Sequence, residues 1–183
     1  RVGTGAGLVT STPPALDCGI TCTVLVDHGS QLTLTATAAI SSTFTGWQGA
    51  CTGVSPVCTL TMVRAQQVTA TFALNHYDLT VVKTGKGTGV ITSLPSGLDC
   101  GLTCTVRADH GAVITLTATP DTIASFTGWQ GACSGTTPVC TVSLTTPQTV
   151  TATFGYQQYT LSVTKSGSGA GIVTSVPPAI DCG

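Results

Sequence analysis

Glutamate is absent from this chain, so its seven carboxylate side chains are all aspartates. Charged residues make up only 7 % of the sequence, and the formal net charge is −1. A globular domain ordinarily carries about a quarter charged residues. A surface this close to neutral gives nucleic acid or an anionic membrane no electrostatic hold, and no nucleic-acid partner is expected. Carboxylates this sparse cannot fill the oxygen shell of a calcium ion without heavy use of carbonyls and water. No stretch is long and apolar enough to span a membrane, so membrane insertion is not expected. Asparagine occurs once, at Asn75, outside any glycosylation sequon, which excludes N-linked glycans from this sequence. No segment carries a convincing 3.6-residue apolar stripe, and only residues 38–43 and 120–125 leave room for a helical turn.

What the chain has instead is a long internal repeat. Asp17-Cys18-Gly19, Asp99-Cys100-Gly101 and Asp181-Cys182-Gly183 lie 82 positions apart, as do Trp47 and Trp129. Residues 1–82 align with 83–164 without a gap, and 44 of the 82 positions are identical. A unit of this length is a small domain rather than one layer of a solenoid. The pattern divides the chain into repeat 1 (1–76), repeat 2 (77–158) and the opening of repeat 3 (159–183). An apolar-alternating segment precedes the second and third copies: Tyr77-Asp78-Leu79-Thr80-Val81-Val82 and Tyr159-Thr160-Leu161-Ser162-Val163-Thr164. Repeat 1 has no such segment and is expected to lack its first strand. Two arrangements fit: a window onto a longer array, or strand addition in which one chain's end completes another's start. The overlap of residues 165–183 with the head of the chain favours the window.

Threonine fills 37 of 183 positions, and 42 % of residues are hydrophobic, which rules out a disordered tract. Leu32-Thr33-Leu34-Thr35-Ala36-Thr37 alternates apolar residues with Thr, as do residues 68–72 and 150–154. Period two with β-branched residues is the pattern of half-buried strands. In the second copy strands are expected near 77–83, 88–93, 103–108, 112–119, 126–131, 139–145 and 148–155, separated by Gly, Pro and Asp clusters. Such an all-β unit reads as a small β-sandwich of immunoglobulin-like type. Its core aromatics are expected to be Phe44, Trp47 and Phe72, then Phe126, Trp129 and Phe154. Strict alternation places Phe44 and Trp47 on opposite faces, so both enter one core only if the strand bulges at Gly46.

Each full copy has four cysteines: Cys18, Cys22, Cys51 and Cys58, then Cys100, Cys104, Cys133 and Cys140. An even number in a small unit implies a disulfide framework and an oxidising compartment. Four cysteines permit three connectivities, and the sequence does not choose between them. The local pairs Cys18–Cys22, Cys51–Cys58, Cys100–Cys104 and Cys133–Cys140 are favoured, each pinning a short loop. Cys182 is left over: its partner is expected beyond the last residue given, with an intermolecular bridge as the less favoured alternative. A zinc site is a weak alternative, because these spacings are looser than the usual ligand pairs.

Taken as a set, the motifs resemble the divergent internalin-B-type B-repeats found in tandem in large bacterial secreted and surface proteins. They are Gly87-Thr88-Gly89-Val90-Ile91-Thr92-Ser93, Leu98-Asp99-Cys100-Gly101 with Cys104, Ile114-Thr115-Leu116-Thr117-Ala118-Thr119-Pro120, Phe126-Thr127-Gly128-Trp129-Gln130-Gly131-Ala132-Cys133, and Val150-Thr151-Ala152-Thr153-Phe154. Copy one shows the same set, with Ala38 in place of the Pro. The resemblance implies an extracellular or bacterial cell-surface repeat with a structural or adhesive role and no catalytic residues. It also offers a β-grasp-like fold as the alternative to the sandwich.

No nucleophile with a positioned base presents itself, and no cofactor is expected. Asp27-His28-Gly29 and Asp109-His110-Gly111 place a His beside an Asp, but as a turn closed by Gly rather than an acid–base pair. Trp47 and Trp129 could stack on sugars only if exposed. Thr and Ser beside Pro make Thr12, Thr137 and Thr146 candidate O-glycosylation sites. The expected function is a non-catalytic extracellular stalk or filament built by end-to-end stacking of β-domains, with neighbouring repeats or subunits as partners. The alternative is an adhesin or carbohydrate-binding repeat that takes glycans.

Overall fold

The computed structural model describes residues 3–18, 22–95, 97–98, 100, 103–179 and 181–182. The chain is all-β, with no helix among the described residues. Repeat 2 contains seven strands: β7 (His76–Gly85), β8 (Gly89–Leu94), β9 (Thr103–Asp109), β10 (Ala112–Pro120), β11 (Ala124–Gly131), β12 (Val139–Leu144) and β13 (Gln148–Tyr156). They form two sheets, ordered β12-β10-β8 and β11-β13-β7-β9. Successive strands therefore alternate between the sheets, and each turn carries the chain across the core. An immunoglobulin constant domain divides its strands differently, keeping the consecutive pairs A–B, D–E and F–G each within one sheet. The pair β7 and β13, first and last in the repeat, runs parallel, and every other pair is antiparallel.

The alternation in sequence becomes burial in space. Leu79 and Val81 of β7, Ile91 of β8, Ile114 and Leu116 of β10, Val142 and Leu144 of β12, and Val150, Ala152 and Phe154 of β13 form one buried cluster with Trp129. The intervening Thr residues face outward and pair across strands. Thr80 and Thr105 hydroxyls lie 3.3 Å apart, those of Thr84 and Thr153 3.1 Å, and those of Thr115 and Thr141 3.5 Å. Such cross-strand Thr pairs are the polar counterpart of the packed inner face.

Repeat 1 is built from β1 (Gly7–Thr12), β2 (Asp17–Cys18), β3 (Gln31–Ala38), β4 (Ser42–Gly49), β5 (Val57–Thr61) and β6 (Val68–Leu74). One sheet, β2-β1-β3-β5, repeats the order β8-β10-β12 of repeat 2 in β1-β3-β5 and adds the short β2 at its edge. The other is reduced to β4-β6. Residues 22–27, the counterparts of β9, form no strand. In repeat 2, β9 pairs only with β7, and the described residues of repeat 1 include no counterpart of β7 to which residues 22–27 could pair.

The opening of the third copy forms a two-stranded hairpin, β14 (Val173–Thr174) with β15 (Asp181–Cys182). Its register, Val173 opposite Cys182 and Thr174 opposite Asp181, repeats Val9 opposite Cys18 and Thr10 opposite Asp17. A serine closes this hairpin turn. Ser11 Oγ accepts the N–H groups of Ala15 and Leu16 at 3.0 and 2.9 Å and donates to the Pro13 carbonyl. Ser93 likewise donates to Pro95 O and accepts from Leu98 N–H, and Ser175 donates to Pro177 O and accepts from Ala179 N–H. Residues 38–43 and 120–125 hold no helix. They contain tight turns that carry the chain from one sheet to the other, closed by Ser42 N–H to Ala39 O at 2.9 Å and Ala124 N–H to Asp121 O at 3.0 Å.

Candidate functional site

The aromatic pieces of each core meet across a β-bulge. In β4 the register with β6 shifts between Phe44 and Gly46, and in β11 the register with β13 shifts between Phe126 and Gly128. Gly46 and Gly128 adopt φ of 149° and 151°, a conformation L-residues avoid. The extra residue brings Phe44 to 5.2 Å from Trp47 and Phe126 to 5.0 Å from Trp129, ring centroid to centroid. Each Phe also packs edge-on against the strand opposite, Phe44 against Phe72 and Phe126 against Phe154. Trp47 and Trp129 retain only 4 % and 3 % of their surface, and their indole N–H groups donate to the carbonyls of Ser55 and Thr137. Buried and satisfied, neither ring offers a face to a sugar.

Four disulfides join near neighbours: Cys18–Cys22, Cys51–Cys58, Cys100–Cys104 and Cys133–Cys140. Their Cα atoms are 5.3 to 6.2 Å apart, within the ordinary range for the bond. Cys51 and Cys133 lie inside the cores beside the Trp rings. The backbone of Cys182 sits in β15. Among the described residues, no three His, Cys, Asp or Glu side chains gather as a metal site would require.

Asp109 turns away from the adjacent His110 and pairs with His76, Oδ1 to Nδ1 at 2.7 Å, on the exposed face of the β7–β9 ladder. His110 lies instead against the Tyr77 ring. Gly111 has φ of 81°, and its N–H donates to Leu144 O at 2.8 Å. The segment is a turn, and the adjacent His and Asp do not act on each other. Thr12 is exposed at the end of β1, Thr137 and Thr146 are exposed in loops, and Thr137 also lends its carbonyl to Trp129.

Two places distinguish this molecule from a pair of separate sandwiches. The first is the junction. A single residue, Asn75, separates β6 from β7. Its N–H donates to Ser41 O in repeat 1 and its carbonyl accepts from His110 N–H in repeat 2, both at 2.8 Å. Its side-chain oxygen accepts from Thr43 Oγ1 at 2.7 Å. Gln157, the equivalent residue 82 positions on, makes the same backbone bond to Ile123 O.

The second is a groove of about 450 Å³ in repeat 1, lined among others by Val9, Leu16, Leu32, Trp47, Leu60 and Val68. The equivalent residues of repeat 2, Ile91, Leu98, Ile114, Trp129, Val142 and Val150, surround Leu79 and Val81 in the buried cluster. Val9, Leu16, Leu60 and Val68 are only half-buried, whereas their repeat 2 equivalents are fully buried. The groove is thus the place that β7 fills in repeat 2.

A family model for the divergent InlB B-repeat domain matches residues 8–76 and again residues 77–158. The chain belongs to the divergent InlB B-repeat family. The boundary between the two matched B-repeats falls next to Asn75, where β6 gives way to β7. No curated protein matches the chain. As B-repeats, the two units are all-β domains in tandem, each with two disulfides.

Proposed function

We propose that these B-repeats are non-catalytic structural units of an extracellular or cell-surface protein, stacked end to end as a stiff stalk or filament. The observation that carries this reading is Asn75. A one-residue connection with backbone bonds to both neighbours leaves little chain to flex, whereas a flexible tether needs a run of unbonded residues. Short-range disulfides fit an oxidising setting and supplement cores too small to be stable alone. The outward Thr rows provide a neutral, soluble sheath, and Thr12, Thr137 and Thr146 are exposed places for O-linked sugars.

Immunogold labelling of the producing cells with an antibody to repeat 2 tests the reading. Label along extended structures outside the cell supports it, and label confined to the cytosol contradicts it. Intact mass of the same material, with sugar-sized increments at the three Thr sites, tests the glycan component. The adhesin alternative has less support: both Trp rings are buried, and the exposed aromatic rings are Tyr156 and Tyr159.

A further inference from the structure

We propose that the free edge of β12 pairs with β12 of a second copy of the chain, antiparallel about a two-fold axis at Thr141, joining two three-stranded sheets into one. Repeat 2 has four edge strands, β8, β9, β11 and β12. An open edge is a template for a further strand unless charge, a bulge or a covering segment blunts it. β9 carries Arg107 and Asp109. β11 has its bulge, and its Trp129 N–H is taken by Gly135 O at 2.8 Å. The chain after β8 folds back, and Leu98 N–H donates to Ser93 Oγ. β12, Val139–Leu144, has none of these: it is uncharged and pairs with β10 without a bulge.

The phase of the ladder says which backbone groups are free. Ala118 N–H donates to Pro138 O at 2.9 Å. Antiparallel partners exchange bonds at every second residue, so Cys140 and Val142 turn their backbone groups to β10, and Val139, Thr141 and Ser143 turn theirs away. Gln148 agrees with this phase, because its Nε2 donates to Ser143 O at 3.0 Å, a carbonyl the ladder leaves free. Among the described residues, nothing beyond the ladder bonds to the backbone of Val139 or Thr141. Three outward residues in this order complement a copy of themselves. Thr141 lies opposite Thr141 of the second copy and Val139 opposite its Ser143, each pair exchanging two bonds. Ser143 O has a second lone pair, so it keeps Gln148 as well. Cys140 and Val142 meet on the core side, and no charge stands on either strand to oppose the pairing. That symmetry favours a second copy over a foreign strand as the occupant. In repeat 1, β5 repeats the edge, with Ala36 N–H on Pro56 O and Gln66 Nε2 on Thr61 O. None of this depends on the repeats forming a stalk, since binding modules can be joined side by side in the same way.

The test is sedimentation equilibrium of the 183-residue chain over a rising concentration series, with hydrogen exchange read residue by residue. Association is expected, with amide protection rising at Val139, Thr141 and Ser143 and unchanged at Cys140 and Val142. Variants are compared in a chain carrying Thr59→Lys, which blunts the β5 edge so that β12 alone reports. There Thr141→Lys should weaken association about fivefold to tenfold, because two like charges meet across the axis. Thr141→Glu should do the same. Thr141 is exposed on the outer face, so both variants should keep the parent's thermal transitions. An equal mixture of the Lys and Glu chains should associate again, with opposite charges now facing each other. A chain that stays monomeric throughout leaves the edge to another partner and overturns the proposal. So do oligomers that survive Thr141→Lys, or a mixture no more associated than its components.

Discussion

The carbonyl of Asn75 accepts a hydrogen bond from the N–H of His110 at 2.8 Å, so the residue that separates β6 from β7 is bonded to a turn of repeat 2. The same residue gives its N–H to Ser41 in its own repeat. Inserting two glycines after Asn75 should part the repeats without unfolding either. Small-angle scattering should then show a broader spread of end-to-end distances, with the thermal transitions unchanged. Asn75→Ala keeps both backbone bonds and loses only the one from Thr43. It should cost about 0.5–1.5 kcal/mol in chemical denaturation.

Leu79 and Leu161 occupy the same position of the repeat in opposite environments. Leu79 is fully buried between two sheets and Leu161 is exposed. Leu79→Ala should cost about 2–5 kcal/mol, the range for emptying a packed site. Leu161→Ala should change stability by no more than about 0.5 kcal/mol. Urea unfolding of the two variants in parallel provides the comparison, and equal costs would mean that residues 159–164 are already packed.

Much of this architecture was legible in the sequence, because burial on one face of a strand imposes period two. The seven strands of repeat 2 lie within a few residues of where the Thr alternation puts them. Three features depend on a partner strand, and only the first, the bulge, was foreseen, as the condition for both aromatics to enter one core. Alternation assigns Phe126 and Trp129 to opposite faces, and only the register against β13 fixes the bulge that reunites them. Residues 22–27 share four of six letters with 104–109, yet form no strand, the described residues of repeat 1 including no counterpart of β7. The parallel pairing of β7 with β13 joins the two ends of the repeat, and no local pattern announces it. Ser11 and Ser93, which organise the hairpin turns, gave only a weak signal, a serine two residues before a proline.

The bulge glycine is a specific point of weakness. Gly128 has φ of 151°, and a Cβ there would come within 3.1 Å of the Gly135 carbonyl oxygen. Gly128→Ala should cost about 1–3 kcal/mol, and more if the carbonyl cannot move. Differential scanning calorimetry should show the transition of repeat 2 falling while that of repeat 1 stays in place.

Disulfide removal should act locally as well. The Cys133–Cys140 bond closes a short loop, so replacing both residues with Ala should cost about 2–3 kcal/mol by the chain-entropy account. Losing packing at buried Cys133 adds to this. Reductant should lower the melting temperature of the native protein and leave that of the double variant less affected.

Stiffness between repeats is what a stalk requires and what a string of independent beads lacks. The most direct measurement is a set of residual dipolar couplings recorded on both repeats in one weakly aligned sample of the monomeric chain. The hydrogen bonds at Asn75 predict that a single alignment tensor fits the amides of both sandwiches. Two tensors of clearly different magnitude would show the repeats reorienting independently, and would contradict the stalk.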